Sequence, residues 1–286
     1  MAAKTMTDKI LEAIQAGNKF SRITHKTWPT MVSGGIYHGF QFGPVPGPGT
    51  YPGVALNVVQ VNGGSAPSMT TGILTFATPA GAKKKFFTYW NHMGFTANGF
   101  GTLKIIDLLV YYPGFSGTFA GAQATNSPAA SNALPRYTDG VDVFAFADPT
   151  VALGANPQAA TVSYTNDAGV GGRTGSFTTI ASAVQGRVAH TPHRVVLQSG
   201  DKGIKSIQNV NLAASTLAGT FAMCLAYELA ELFIDATGKV VEAKLASDPP
   251  VFWNLGNTCA LSYMAFSTAA PVTPTFTGRV ETVDID

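Results

Sequence analysis

Residues 161–180 read TVSYTNDAGVGGRTGSFTTI, and this stretch decides the fold class. Thr161 to Thr165 alternates β-branched and aromatic residues as a strand does. Asn166-Asp167-Ala168-Gly169 supplies residues suited to a turn, because Asn and Asp bond their own backbone and Gly tolerates φ > 0. Gly175 to Ile180 returns as the second arm of a hairpin. The same pattern extends outward. Val141 to Ala147 (VDVFAFA) has period two, with Val141, Val143 and Ala145 on one face and Asp142, Phe144 and Phe146 on the other. Lys85 to Trp90, Leu103 to Tyr112 (LKIIDLLVYY), Arg194 to Gln198, Gly203 to Leu212, Ala260 to Phe266 and Thr275 to Val283 read as further strands. So do Val54 to Val61 and Gly72 to Thr78. Lys239 to Leu245 follows a turn at Asp235 to Gly238. Phe221 to Ile234 is long enough for a helix, but its Gly-rich flank favours a strand. Short strands at intervals of about ten residues define an all-β chain, a sandwich of jelly-roll type.

Composition agrees. Hydrophobic residues make up 45% of the 286, enough for a sizeable core, and the net charge of +2 excludes a chain kept disordered by its charge. Charged residues are only 12% of the chain, about half the usual share. A chain this poor in charge hides surface in an assembly or wets it with Ser, Thr, Asn and Gln. The uncharged stretch Pro113 to Pro135, rich in small residues, reads as a linker or long loop. It divides the chain into a first β domain (31–115), the linker (116–135) and a second β domain (136–286). Phe40 to Pro52 holds four prolines and reads as a stiff extended loop.

Residues 1–30 read as a helical arm. Thr7 is placed to cap a helix over Asp8 to Ala16, and Gly17 to end it. Ile10, Leu11 and Ile14 make its apolar face, and so short a helix needs that face packed on something. The arm is basic: residues 1–110 carry nine Lys/Arg against three Asp/Glu, the remainder nine against thirteen. Lys83-Lys84-Lys85 forms a second basic cluster. Phosphate binding would use both clusters, but no nucleic-acid reading motif accompanies them, so docking on an acidic protein surface is the better expectation. The residues expected to make that contact are Lys9, Ile10, Leu11, Ile14, Lys19 and Arg22.

Catalytic patterns are missing. His190-Thr-Pro-His193 has a ligand-like spacing but no third ligand, and its position suggests a loop. The stretch GVGGRTG (169–175) lacks the Lys-Ser/Thr of a phosphate loop. Asp139, Asp142 and Asp148 lack EF-hand spacing. Cys224 and Cys259 read as buried free thiols. No enzyme, cofactor or metal is expected. No apolar stretch is long enough to span a membrane, and no secretion signal is visible, so folding in a cytoplasm is expected.

Five segments, in order, resemble a family of tailed-bacteriophage virion proteins: DLLVYYPG (107–114), LPRYTDGVDVFAF (134–146), TVSYTNDAGVGGRT (161–174), LQSGDKGIKSIQNVNLAAST (197–216) and FSTAAPVTPTFTGRVE (266–281). The resemblance spans roughly residues 100–286. It implies a structural virion component made in the host cytoplasm, a capsid decoration or cement protein whose partner is the major capsid protein. It implies copies arranged as a homo-oligomer, with a trimer as one such assembly, and supplies no catalytic residues. A host-glycan-binding module and a tail or baseplate subunit remain the alternatives.

Overall fold

The computed structural model describes residues 6–27, 35–38, 44–45, 56–57, 74, 76, 83–94, 100–125, 134–189, 191–233, 240–243, 259–267 and 275–285. Its elements are α1 (Met6–Gln15), β1 (Lys19–Thr27), β2 (Ile36–His38), β3 (Pro44–Val45), β4 (Leu56–Asn57), β5 (Lys84–Gly94), β6 (Phe100–Ser116), β7 (Gly121–Ala124), β8 (Phe144–Val151), β9 (Ala159–Asn166), β10 (Arg173–Thr178), β11 (Thr191–Val196), β12 (Ile204–Leu212), β13 (Thr220–Phe233), β14 (Val240–Ala243), β15 (Leu261–Ser267) and β16 (Thr275–Ile285). The all-β, sandwich-like expectation holds. Three antiparallel sheets form, with orders β14-β5-β16-β1-β3, β11-β10-β9-β12-β7 and β2-β15-β6-β13-β8. We call them the terminal, hairpin and rolled sheets. The Thr161–Ile180 hairpin is β9 and β10 in antiparallel register, and Phe221 onward is strand, not helix.

The rolled sheet curls until its edges nearly meet. Residues 186–189 fill the gap. His38 N donates to Gly186 O and Val188 N to Ile36 O on one side; Gly186 N donates to Pro149 O and Ala189 N to Ala147 O on the other. Register shifts at three places along β6 and β13 supply local twist for the curl. The period-two pattern sorts the faces as expected. Phe144 and Phe146 point inward to a cluster with Ile106, Leu108, Val188, Ala222, Cys224 and Met264. Val143, Ala145 and Ala147 point outward to the hairpin sheet, meeting Val162, Tyr164, Ile207 and Val210. The far ends of β6 and β13 pack outward on the terminal sheet, where Leu103, Ile105, Leu229 and Leu232 meet Phe87 and Val280. β6 and β13 thus pass beneath both outer sheets, and their pairing joins segments on either side of residues 116–135.

Several local expectations are revised. Helix α1 begins at Met6, so Thr7 lies inside its first turn and does not cap it. Gly17 does end it: φ is +76°, Gly17 N donates to Ile14 O and Asn18 N to Ala13 O, the paired bonds of a Schellman motif. The helical arm stops there. Lys19–Thr27 is a strand paired along all nine residues with β16, which satisfies backbone N–H and C=O groups of both segments. Within 116–135, Gly121–Ala124 is not loop but a strand on the edge of the hairpin sheet. The Gln123 amide holds it by accepting from Ser116 N (2.7 Å) and donating to Ser116 O (2.9 Å). Thr191–His193 opens strand β11 where a loop was expected. The Phe40–Pro52 loop apart from β3, most of Val54–Val61 and Gly72–Thr78, the 235–238 turn and His190 lie outside the described residues.

Candidate functional site

Polar residues of the first four resembling segments meet in pairs in the fold. Asp107 of the first accepts from Arg136 of the second, through Nε at 2.8 Å and Nη2 at 2.7 Å, and from Ala260 N at 2.9 Å. Both side chains are buried, and a bidentate pair of this kind fixes orientation as well as charge. Asp201 of the fourth gathers the third: Tyr164 Oη donates at 2.5 Å, Asn166 Nδ2 at 2.7 Å, and Arg173 twice at 3.0 Å. The Arg173 hydrogen bonds, opposed by desolvation and aided by Tyr164 and Asn166, hold the Asp201 carboxyl at about 2. These are clasps between strands and loop tips. They leave Val170 exposed at the end of a braced hairpin.

One constellation was not legible in the sequence. His38 Nδ1 lies 2.8 Å from Asp148 Oδ2, and Ser262 Oγ lies 3.0 Å from His38 Nε2. With ionised Asp148 as acceptor, Nδ1–H donates to it and Nε2 accepts from the hydroxyl. That is the connectivity of a nucleophilic triad. All three residues are buried inside the rolled sheet, and Phe146 stands edge-on to the imidazole at 5.2 Å. A nucleophile needs a carbonyl carbon within reach, and Ser262 Oγ faces the closed interior. The relay instead joins β2, β15 and β8, tying the two edges of the roll. Positions 38, 148 and 262 share no motif spacing, so no local signal announces it.

An open cleft of about 580 Å³ lies at the mouth of the roll, between β13 and the 194–202 strand and loop. Glu228 on its wall receives Lys104 Nζ at 3.0 and 3.1 Å and also an Arg194 Nη2 hydrogen bond. The Arg194 guanidinium lies 4.0 Å over the Phe144 ring, closing the mouth. Tyr227 stacks on Tyr137 at 4.0 Å and 6°. Asp142 stands on the rim in the left-handed region, φ 60°, because the 140–142 turn abuts residues 202–203. Asp142 N donates to Lys202 O, and a Cβ on Gly203 would fall 1.9 Å from Gly140 O. A smaller apolar pocket of about 40 Å³, walled by Ile36, Phe144 and Met264, adjoins the cleft at Lys104 and Arg194.

The residues expected to contact a partner are dispersed. Ala13 seats α1 on Phe86, Val283 and Ile285 of the terminal sheet. At 100° per residue, Lys9, Glu12, Ala13 and Ala16 share one side, and they line a cleft of about 310 Å³ with Lys83 and Asp284. Leu11 and Ile14 lie on the opposite side, 53% and 40% exposed. The side chain of Ile10 is outside the described residues. Lys19 is spent within the chain, its Nζ 2.7 Å from Glu281. Arg22 stands exposed on β1, beside Ile23 at 65% exposure. Lys85 is a correction to the second basic cluster. It is fully buried, 2.6 Å from Asp284 and over the Phe20 ring at 4.5 Å, so it offers nothing to a partner.

Both cysteines are free and buried. Among the described residues no group of three or more His, Cys, Asp and Glu is placed to hold a metal ion, and no helix is long and apolar enough to cross a membrane. No family model and no curated protein matches the chain. Among solved structures, the VP2 subviral particle of infectious bursal disease virus is similar at 8% identity and a TM-score of 0.18, covering 94% of this chain and 81% of that one. The structure of the Gt strain of the same virus is similar at 10% identity and a TM-score of 0.19, covering 93% and 79%. Scores this low give the likeness no weight for function.

Proposed function

We propose that the chain is a structural protein of a tailed-phage virion, docked on the outside of the capsid shell as a decoration or cement subunit and without catalytic activity. The carrying observation is helix α1. It is fastened to the terminal sheet through Ala13 and ended by its glycine motif, yet it turns Leu11 and Ile14 away from the body. An apolar face so displayed on a short, fixed helix is suited to a groove on a neighbour. Ile23 and Arg22 on β1, whose outer edge pairs only at His25 and Lys26 among the described residues, extend the same N-terminal region. The resembling segments support the virion setting. Their polar residues serve as clasps, and the one triad-like relay is sealed from substrate. The partner is the major capsid protein, met by several copies of this chain.

Deleting residues 1–26 is not a clean test, since it removes strand β1. Leu11→Ser with Ile14→Ser is. Burying each side chain is worth about 1.5–3 kcal/mol, so the double variant should load onto purified shells at least tenfold less well while melting within about 1–2 °C of the parent. Unchanged loading with an unchanged melt rejects the docking role of α1.

A further inference from the structure

We infer that the cleft at the mouth of the rolled sheet binds a carboxylate-bearing N-acetylated sugar. This is independent of where the chain sits in a particle. The cleft's charge is arranged in two layers. Lys104 and Arg194 together balance Glu228 and Glu231, so what the cleft offers an anion is unused donors and not surplus charge. Arg194 uses only Nη2 for that bond, and its Nε and Nη1 have no hydrogen-bond partner among the described residues. Its guanidinium is nevertheless immobilised on Phe144, so its free donors are presented in a fixed plane, the geometry that pairs with a carboxylate. Lys202, exposed on the same rim, adds a second cation with no ion pair among the described residues.

The rest of the lining favours a sugar over an acidic peptide. Asp142 and Glu228 put acceptors beside the cations. An Asp or Glu side chain brings acceptors only and has no hydroxyl donor for these two carboxylates. A sugar acid brings its carboxylate to Arg194 and Lys202 and hydroxyl donors to Asp142 and Glu228. Tyr227, held from behind by Tyr137, provides a rigid aromatic wall for a pyranose ring. The adjoining pocket of about 40 Å³ is mostly apolar, shares Lys104, Phe144 and Arg194 with the cleft, and is sized for an acetyl methyl, not for a second ring. The cleft volume falls in the range of small-ligand sites.

The test titrates the full chain with N-acetylneuraminic acid, N-acetylmuramic acid and neutral N-acetylglucosamine, using ligand-observed NMR and calorimetry. At least one acid should bind ten times more tightly than the neutral sugar, and added salt should weaken it. Preference for neuraminate would point to a glycan cap and preference for muramate to cell-wall material; either supports the site. Lys202→Gln, on the exposed rim, should weaken the acid about threefold without moving the melt. Arg194→Lys should weaken it tenfold or more, with the melt confirming folding. Equal binding of all three sugars, no binding at all, or binding of an acetylated Asp-Glu peptide in their place overturns the assignment. So does an acid affinity that both variants leave unchanged.

Discussion

Asp107→Asn should unfold the joint between the two halves of the chain more than any surface change could. The substitution keeps the shape and removes the charge that Arg136 faces through two hydrogen bonds of 2.7 and 2.8 Å. Arg136 remains buried, keeping Leu108 O at 2.9 Å but losing the charge of the carboxylate that both of those bonds reach. Breaking one side of a buried pair costs about 3–5 kcal/mol. Unfolding entropy of about 2.1 cal/mol/K per residue, over 286 residues, gives about 0.6 kcal/mol/K, so the melting temperature should fall about 5–8 °C. Asp107→Leu with Arg136→Met removes both charges. It takes Arg136 Nη2 from Leu108 O and the acceptor from Ala260 N–H, 2.9 Å from the lost oxygen, the buried donor costing about 1–3 kcal/mol. The double variant should therefore melt above the single one, about 2–5 °C below the parent. Calorimetry or denaturant titration reads both. A single variant within 2 °C of the parent, or a double variant less stable than the single, refutes the reasoning.

Acid should act through Asp201. Its folded value of about 2 lies below the ordinary 3.8, so its contribution is full above that ordinary value and is lost as pH falls toward 2. The gap in melting temperature between the parent and Asp201→Asn should be constant near neutrality and close between pH 4 and pH 2; a gap that persists at pH 2 contradicts the clasp. The two thiols should be silent in the native protein. Burial, with Asp148 adding to it, pushes Cys224 well up, and burial with the nearby Asp107 charge pushes Cys259 to about 12. A thiol reagent at pH 8 should label neither until denaturant is added and both afterwards, whereas rapid labelling of the folded chain would show an open core.

Sheet content was legible because alternation is a local signal. Val143 to Ala147 declared both faces, and both are buried, one in the roll and one under the hairpin sheet, whereas the strand starts at Phe144 and Asp142, expected on the Phe144 face, stands exposed in the turn before it. Asn166 to Gly169 declared its turn. The terminal sheet was hidden because β1 carries Lys19, Arg22 and Lys26, which read as a solvated arm, while its pairing with β16 spans almost the whole chain. Lys85 was read as surface charge because its partner, Asp284, is 199 residues away. The relay of His38, Asp148 and Ser262 depends on the closure made by residues 186–189, a segment with no strand signature of its own. The helix was placed almost correctly, but its orientation was not readable: small Ala13, and not Leu11 or Ile14, fits against Phe86 and Val283. Of the expected contact residues, Lys9, Leu11, Ile14, Lys19 and Arg22 all stand at the surface, Lys19 with its ammonium paired to Glu281.

The most direct measurement is cryo-electron microscopy of the intact virion with this chain traced in the map. Density on the outer shell, with Leu11 and Ile14 of α1 seated against a capsid subunit, is the predicted result. Density confined to the tail or baseplate, or shell density with α1 facing solvent, would contradict the account.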